Sequence, residues 1–320
     1  MRLGDRWIMG SGRRAWMQGG GLFLAGCWLL IAASSVGAAI ASDMLGRTVV
    51  VPDRPLRVVS LAPSLTETVY ALGRGDWLVG VTDFCDYPPE ARTKSRVGGI
   101  AAPSLERIVS LAPDLALTTA EGNSRSTMEQ LERLGIATFA LKTDSYVGVI
   151  GSIESLGRVL GAERAAERAV GEIQERVRAV RIAVADRPRP RVLYLIWTDP
   201  LIAAGAASYI NDLLGLAGGQ NVIKERTVPY PRLDWEQVIG RAPQVILVAD
   251  HRADVGQTAS AAAGTPREWL EWQAVPAIRS GRVVPLPGDT VLRPGPRVGE
   301  GLARLAQAIH REPGERQEFR

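Results

Sequence analysis

Residues 106–115 read Glu-Arg-Ile-Val-Ser-Leu-Ala-Pro-Asp-Leu, and residues 236–245 read Glu-Gln-Val-Ile-Gly-Arg-Ala-Pro-Gln-Val. The second stretch can be laid on the first at an offset of 130 residues, 236 falling on 106. Each copy predicts a short helix that an Ala-Pro pair breaks, followed by a buried strand. An N-cap residue stands two positions before each glutamate, Ser104 in one copy and Asp234 in the other. Glu106 and Glu236 therefore both fall in a first helical turn. A repeat this long exceeds the roughly 20–50 residues of a solenoid unit and fits two similar lobes.

Strand and helix signals alternate outward from the first copy. Residues 58–61 form a short apolar run, Ala62-Pro63 breaks it, and Ser64-Leu65-Thr66-Glu67 reads as a capping box opening a helix that stops at Gly73. Strands follow at 78–82, 115–119 and 137–141, with helices at 104–111 and 126–134 between them. Such alternation implies a parallel sheet with helices on its faces. The tetrapeptides Ser60-Leu61-Ala62-Pro63 and Ser110-Leu111-Ala112-Pro113 are identical, yet the first leads from strand into helix and the second from helix into strand.

The rhythm changes between about residues 147 and 185, where strand signals vanish. Val170, Ile173, Val177, Val180 and Val184 recur at spacings of three and four, one face of a helix, with Glu172 and Arg176 as an i,i+4 pair on its polar side. Asp186-Arg187-Pro188-Arg189-Pro190 ends it. Alternation then resumes, with strands at 192–197 and 245–249 and helices from Ser208 and Asp234. The expected fold is α/β: two similar lobes with parallel-rich central sheets, joined by one long α-helix. Its parts are an N-terminal lobe at 42–146, a helical segment at 147–187, a C-terminal lobe at 188–310 and a flexible tail at 311–320. One connecting helix resists bending better than loop crossovers do, so limited lobe motion is expected on ligand binding.

With 46% hydrophobic and 22% charged residues in 320, the chain is globular, which excludes disorder and fibrous repeats. Two cysteines and two histidines, His251 and His310, cannot build a disulfide framework, a Cys-rich zinc site or a His-based metal centre, so no metal is expected. Residues 1–41 carry Arg2, Arg6, Arg13 and Arg14 against one acid, Asp5, and so hold three of the four excess positive charges. The remainder is nearly neutral, which removes the warrant for a nucleic-acid partner.

Those 41 residues read as an export leader. Arginines come first, then an apolar run at 22–33, then Ala39-Ile40-Ala41 before Ser42. The run falls short of the roughly 20 residues that span a bilayer. Cleavage after Ala41 is expected. Lipidation at Cys27, in Leu24-Ala25-Gly26-Cys27, and an uncleaved anchor are the alternatives. Arg13-Arg14 only weakly fits a twin-arginine route. All three readings place the chain outside the cytoplasm. Cleavage leaves Cys85 alone, and it reads as a semi-buried thiol.

Candidate functional residues follow from position and type. Tyr87, in Asp86-Tyr87-Pro88-Pro89, lies just after a predicted strand; Tyr230 lies between Pro229 and Pro231; Trp197 ends a strand. Each is a packing aromatic or a flat wall for a ligand's apolar part. Asp289 and Arg293 form an i,i+4 pair in a loop, either solvated or facing a ligand. Glu106 and Glu236 either complement their helix dipoles or give a two-lobed grip to a basic partner. No Gly-x-Ser-x-Gly elbow, phosphate loop or dinucleotide fingerprint is present, and both histidines read as surface residues, so the chain is not expected to be an enzyme or to carry a cofactor.

The stretches at 57–67 (RVVSLAPSLTE), 86–91 (DYPPEA), 104–115 (SLERIVSLAPDL), 218–224 (GGQNVIK), 228–232 (VPYPR) and 236–248 carry a resemblance. Over nearly all of 57–310 the chain resembles the periplasmic solute-binding proteins of ABC importers for cobalamin, haem and ferric siderophores, above all the vitamin B12-binding proteins. The resemblance implies a monomer that holds a corrinoid between two lobes and delivers it to a membrane permease with its cytoplasmic ATPase. It implies that Glu106 and Glu236 meet permease arginines, that Tyr87 and Tyr230 flank the corrin ring, and that Asp289 and Arg293 face its amides. The family's aromatic near Trp197 aligns one residue earlier, at Ile196. Ile100-Ala101-Ala102 stand where the family has a tryptophan, and another tryptophan near Thr119 is absent. These departures widen the ligand class to related corrinoids and other bulky chelates. A ferric-siderophore or haem binder of the same family, or a non-transport sensory module, is the alternative function.

Overall fold

The computed structural model describes residues 38–52, 55–250 and 269–311. The expected leader up to residue 37 with Cys27, His251, and the tail beyond residue 311 lie outside the described residues. Strand β1 (Ala38–Ser42) pairs antiparallel with β2 (Thr48–Pro52), so cleavage after Ala41 would remove all of β1 but Ser42. The turn between them is held from inside. The Asp43 carboxylate accepts hydrogen bonds from the Leu45, Arg47 and Ala140 amides and from the Arg47 guanidinium.

The N-terminal lobe runs β3 (Val58–Ser60), α1 (Pro63–Ala71), β4 (Leu78–Val81), β5 (Ser95–Arg96), α2 (Leu105–Ser110), β6 (Leu115–Thr119), α3 (Arg125–Arg133) and β7 (Ala137–Leu141). Its strands lie in the order β5-β4-β3-β6-β7, all parallel. Two helices follow, α4 (Tyr146–Val159) and α5 (Glu163–Val184). The C-terminal lobe comprises β8 (Arg191–Thr198), β9 (Leu201–Ala203), α6 (Tyr209–Leu216), β10 (Gln220–Asn221), α7 (Trp235–Arg241), β11 (Val245–Asp250), α8 (Pro276–Arg279), β12 (Val283–Pro287), α9 (Gly288–Leu292) and α10 (Val298–Ile309). Here β10-β8-β11-β12 are parallel and β9 folds back antiparallel on β8. The architecture is the expected one, two α/β lobes with parallel-rich sheets.

Alternate residues of the central strands face different cores. Val58, Leu115, Leu117, Val192, Tyr194, Val245 and Leu247 join one continuous core with Ala166, Val170, Ile173, Val177 and Val180 of α5. Val59 and Ala116 turn instead to a core private to the first lobe, and Leu193, Leu195 and Ile246 to one private to the second. The period-two alternation of a strand thus puts α5 behind both sheets, while α2 and α7 cover the opposite faces through Ile108 and Val238. Each Val or Ile of that α5 stripe contributes roughly 1.5–3 kcal/mol by burial, and bending between the lobes would expose it. The helical segment is broken once. Gly161, at φ 56°, ends α4 as a left-handed cap, with the Ala162 amide reaching back to the Gly157 carbonyl.

The sequence repeat is a repeat of structure. Ala112 and Ala242 both take positive φ, 41° and 44°, because a following proline bars the right-handed helical conformation. The guanidinium of Arg57 donates to the Leu111 and Ala112 carbonyls, and that of Arg191 donates to the Ala242 carbonyl. Asp114 Oδ2 accepts from the Arg57 amide at 2.9 Å, and Gln244 Oε1 accepts from the Arg191 amide at 2.9 Å. In return the Asp114 and Gln244 amides donate to the Arg57 and Arg191 carbonyls. The identical tetrapeptides differ as expected: Ala62 is extended at φ −152° before α1, whereas Ala112 is left-handed after α2.

Two local expectations are corrected. The capping box at Ser64 does not form: α1 starts at Pro63 with Ala62 as N-cap, and no side chain caps it. Proline supplies the first helical residue without needing an amide partner, and Glu67 is drawn elsewhere. The Glu172–Arg176 ion pair is also absent among the described residues. The Arg176 stem lies instead over Gly299 of α10, where an added Cβ would come within 3.0 Å of it, and Arg178 pairs with Glu175.

Candidate ligand-binding site

The lobes meet in a network of charges. Glu67 of α1 has a side chain 1% exposed, and both its oxygens are taken from the other lobe. Arg297 grips it with Nε at 2.8 Å and Nη2 at 2.7 Å, and Arg293 Nη1 lies at 3.2 Å. Arg293 continues to Asp86 at 2.6 Å and to Asp289 at 2.7 Å. Arg297 also lies over the Tyr87 ring, 4.0 Å from its centre, a cation–π contact. Burial alone would lower the pKa of each arginine. The hydrogen bonds donated to Asp86 and Glu67, with the surrounding carboxylate charges, outweigh it and leave both raised.

Three of the five expected ligand residues, Tyr87, Asp289 and Arg293, are therefore gathered at one place. Arg293 is committed to three carboxylates, and one face of the Tyr87 ring is occupied by Arg297. Tyr87 is nonetheless 44% exposed, and it borders a groove of about 410 Å³ that also involves α5 and the start of α10. Sequence reasoning passed over Glu67, Asp86 and Arg297. Their signal was the i,i+4 arginine pair in Arg293-Pro294-Gly295-Pro296-Arg297, where Gly295 lies against the Ser64 backbone.

Tyr230 is set by a backbone strap. The Ala203 and Gly205 amides donate to the Pro231 and Pro229 carbonyls, and a Cβ on Gly205 would strike the Val228 carbonyl at 2.7 Å. The side chain is 46% exposed. Burial raises its phenol pKa, and the negative charge of Glu121 in the first lobe raises it further. Glu121 is exposed as a residue, yet desolvation around its carboxylate raises its pKa, although the Thr143 amide and hydroxyl both donate to it. Tyr209 of α6 is buried, with its hydroxyl unpaired among the described residues and its pKa raised by burial and then by Tyr194, Tyr230 and Glu67. Trp197 is half exposed, and its indole N–H donates to the Asp199 carbonyl at 2.7 Å. Each lobe thus carries a half-exposed phenol ring, and carboxylates and guanidinium groups gather beside the one at Tyr87. It suits a bulky ligand with an apolar face and polar edges.

Glu106 and Glu236 are exposed in the first turns of α2 and α7, and neither forms an ion pair among the described residues. Ser104 caps α2 through the Arg107 amide, and Asp234 caps α7 in a complete capping box with Gln237. Trp235 stacks on Trp272 at 5.1 Å and 10°, and meets Trp269 edge-on. Cys85 is fully buried rather than semi-buried: it sits 3.1 Å from the hydroxyls of both Thr66 and Thr82, and burial pushes its thiol pKa up. His310, expected on the surface, is partly rather than fully exposed. Its Nε2 lies 2.9 Å from the Ala217 carbonyl, and partial burial lowers its pKa.

No described helix is long and apolar enough to cross a membrane. The periplasmic binding protein family matches residues 58–290. The vitamin B12-binding protein of Vibrio cholerae serotype O1 is 31% identical over 250 residues, 78% of this chain and 87% of that one. Among solved structures, the periplasmic vitamin B12 binding protein BtuF of Vibrio cholerae aligns with a TM-score of 0.70 at 28% identity, over 80% of this chain and 96% of that one. The periplasmic heme-binding protein RhuT from Roseiflexus aligns with a TM-score of 0.69 at 27% identity, over 80% and 98%. Two lobes on one backbone helix, and a match that runs through both, establish that the chain belongs to the periplasmic binding protein family.

Proposed function

We propose that this protein is the extracytoplasmic substrate-binding component of an ABC importer, and that it captures a corrinoid between its lobes for delivery to a membrane permease driven by a cytoplasmic ATPase. The observation that carries the ligand reading is the pair of half-exposed rings, Tyr87 and Tyr230, one on each lobe. Asp289 and Arg293 would supply polar contacts, Arg293 sharing Glu67 with the Arg297 that covers Tyr87. The B12-binding relatives support a corrinoid over other chelates. Trp197 would add a third apolar surface. Glu106 and Glu236 would engage the permease as exposed acids at matching places in the two lobes. The working form would be a monomer outside the cytoplasm, with its leader removed after Ala41.

The heme-binding neighbours favour a second reading, a haem carrier of the same architecture. Separate calorimetric titrations with cyanocobalamin, haemin and a ferric siderophore distinguish the two. Saturable binding of cyanocobalamin that Tyr87→Ala and Tyr230→Ala each weaken by about tenfold or more is expected, since stacked rings at a site centre carry much of the affinity. Binding of haemin alone would overturn the corrinoid assignment.

A further inference from the structure

Resting on that reading of the cleft, we propose that Glu67 is a positioning residue for the cargo. From the N-terminal lobe it holds two arginines of the C-terminal lobe, and through one of them, Arg297, it sets the Tyr87 ring. With a side chain 1% exposed, Glu67 is out of a ligand's reach. Its action is therefore indirect. Arg297 has no other ion-pair partner among the described residues and carries the guanidinium that covers the Tyr87 ring. Arg293 keeps Asp86 and Asp289 without it.

Neutralising Glu67 accordingly strands one buried cation, Arg297, and frees the ring beneath it. Replacing Arg297 by lysine keeps the charge but loses the planar two-point grip and the flat stacking surface. Because partners on the two lobes are separated by 230 residues, the same pair also fixes how the lobes meet.

A purely structural ion pair predicts something different. Exchanging both partners for neutral groups removes the stranded charge and restores stability. If Glu67 only stabilised the fold, Glu67→Gln with Arg297→Met would restore ligand binding as well. Three readouts separate the cases: thermal unfolding, hydrogen exchange of the peptide spanning residues 85–92, and calorimetric titration with cyanocobalamin and with haemin.

Glu67→Gln alone is expected to lower the melting temperature, and the double variant to recover most of the loss. The double variant and Arg297→Lys should both exchange about tenfold faster across residues 85–92 and bind the cargo at least about tenfold more weakly. Wild-type exchange in both variants, or faster exchange with unchanged affinity, would overturn the proposal. If the wild-type protein binds neither probe, the corrinoid and haem readings both fall, while the exchange data still decide whether Glu67 places Tyr87. Arg297→Lys keeps the test decisive should Glu67→Gln fail to fold.

Discussion

The two lobes share a joint but differ in what they hang on it. In each, a short helix ends on a left-handed alanine, a proline follows, and an arginine at the entry to the lobe's central strand caps that alanine's carbonyl. Position 105 is leucine in the first lobe, and its counterpart 235 is tryptophan, stacked on Trp272. Asp114 accepts from two backbone amides, those of Leu56 and Arg57, whereas Gln244 accepts from one, that of Arg191. The first lobe is entirely parallel, while the second adds β9 and the strap that carries Tyr230. The repeated joint delivers two glutamates to equivalent places, and the unrepeated parts carry the residues proposed to bind the ligand. The proposed docking thus uses the symmetry of the molecule, and the proposed binding uses its departures from symmetry.

The largest effect expected on that division concerns the acids. Glu106→Ala and Glu236→Ala should each slow cargo uptake on the order of tenfold in reconstituted vesicles, and together more, because a rim acid facing an arginine acts through charge-assisted hydrogen bonds. Ligand affinity in solution should stay at the wild-type value for both. Equal losses would mean that the permease reads the lobes alike. A loss from one variant alone would break the symmetry, and a loss of ligand affinity would move that acid into the cleft.

The joint itself gives a smaller difference. Asp114→Ala removes a charged acceptor from two amides and should cost about 1.5 kcal/mol in urea unfolding, whereas Gln244→Ala removes one neutral bond and should cost about 0.5 kcal/mol. Equal costs would show that the charge adds nothing at this exposed place. Glycine at the left-handed positions tests the joint from the other side. Ala112→Gly and Ala242→Gly each relieve roughly 1–2 kcal/mol of left-handed strain and add roughly 0.5–1 kcal/mol of unfolded-chain entropy. Each should therefore stabilise by about 0.5 kcal/mol, and by the same amount if the joints are equivalent. Destabilisation of either would mean that its arginine cap had already absorbed the strain.

What the sequence disclosed follows from where the causes lie. Ser104 and Asp234 were legible as caps because a cap is settled within three residues, and the α5 stripe because its period is local. Ser64-Leu65-Thr66-Glu67 has the same local form as a capping box, yet the partner that decides the role of Glu67 is Arg297, on the other lobe. Nothing near position 67 carries that information. Ala112 and Ala242 gave no conformational warning, since alanine is a poor left-handed residue. The repeat aligned them, but only the backbone reveals the shared φ. Tyr87 and Tyr230 were singled out by their proline-rich settings, whereas Glu121, whose charge reaches Tyr230, lies on a loop without a motif.

Glu121 gives the smallest expected effect. Burial is the largest influence on Glu121 and raises its pKa, so the folded protein holds that proton more tightly than the unfolded chain does. The contribution to stability is then fully present below the unfolded pKa of about 4.3 and is lost as pH rises through the raised folded value. Glu121→Gln keeps an acceptor for Thr143 and removes the titration. The variant should match the wild-type unfolding midpoint near pH 4 and exceed it slightly near pH 7, an effect kept small by solvent around the carboxylate. Tyr230→Phe should leave this pH dependence nearly intact, because desolvation is the main cause of the Glu121 shift. A difference between Glu121→Gln and wild type that stays constant across that range would show that the carboxylate is as well solvated in the folded cleft as in the unfolded chain. Loss of the pH dependence in Tyr230→Phe would show instead that the two lobes titrate as a pair.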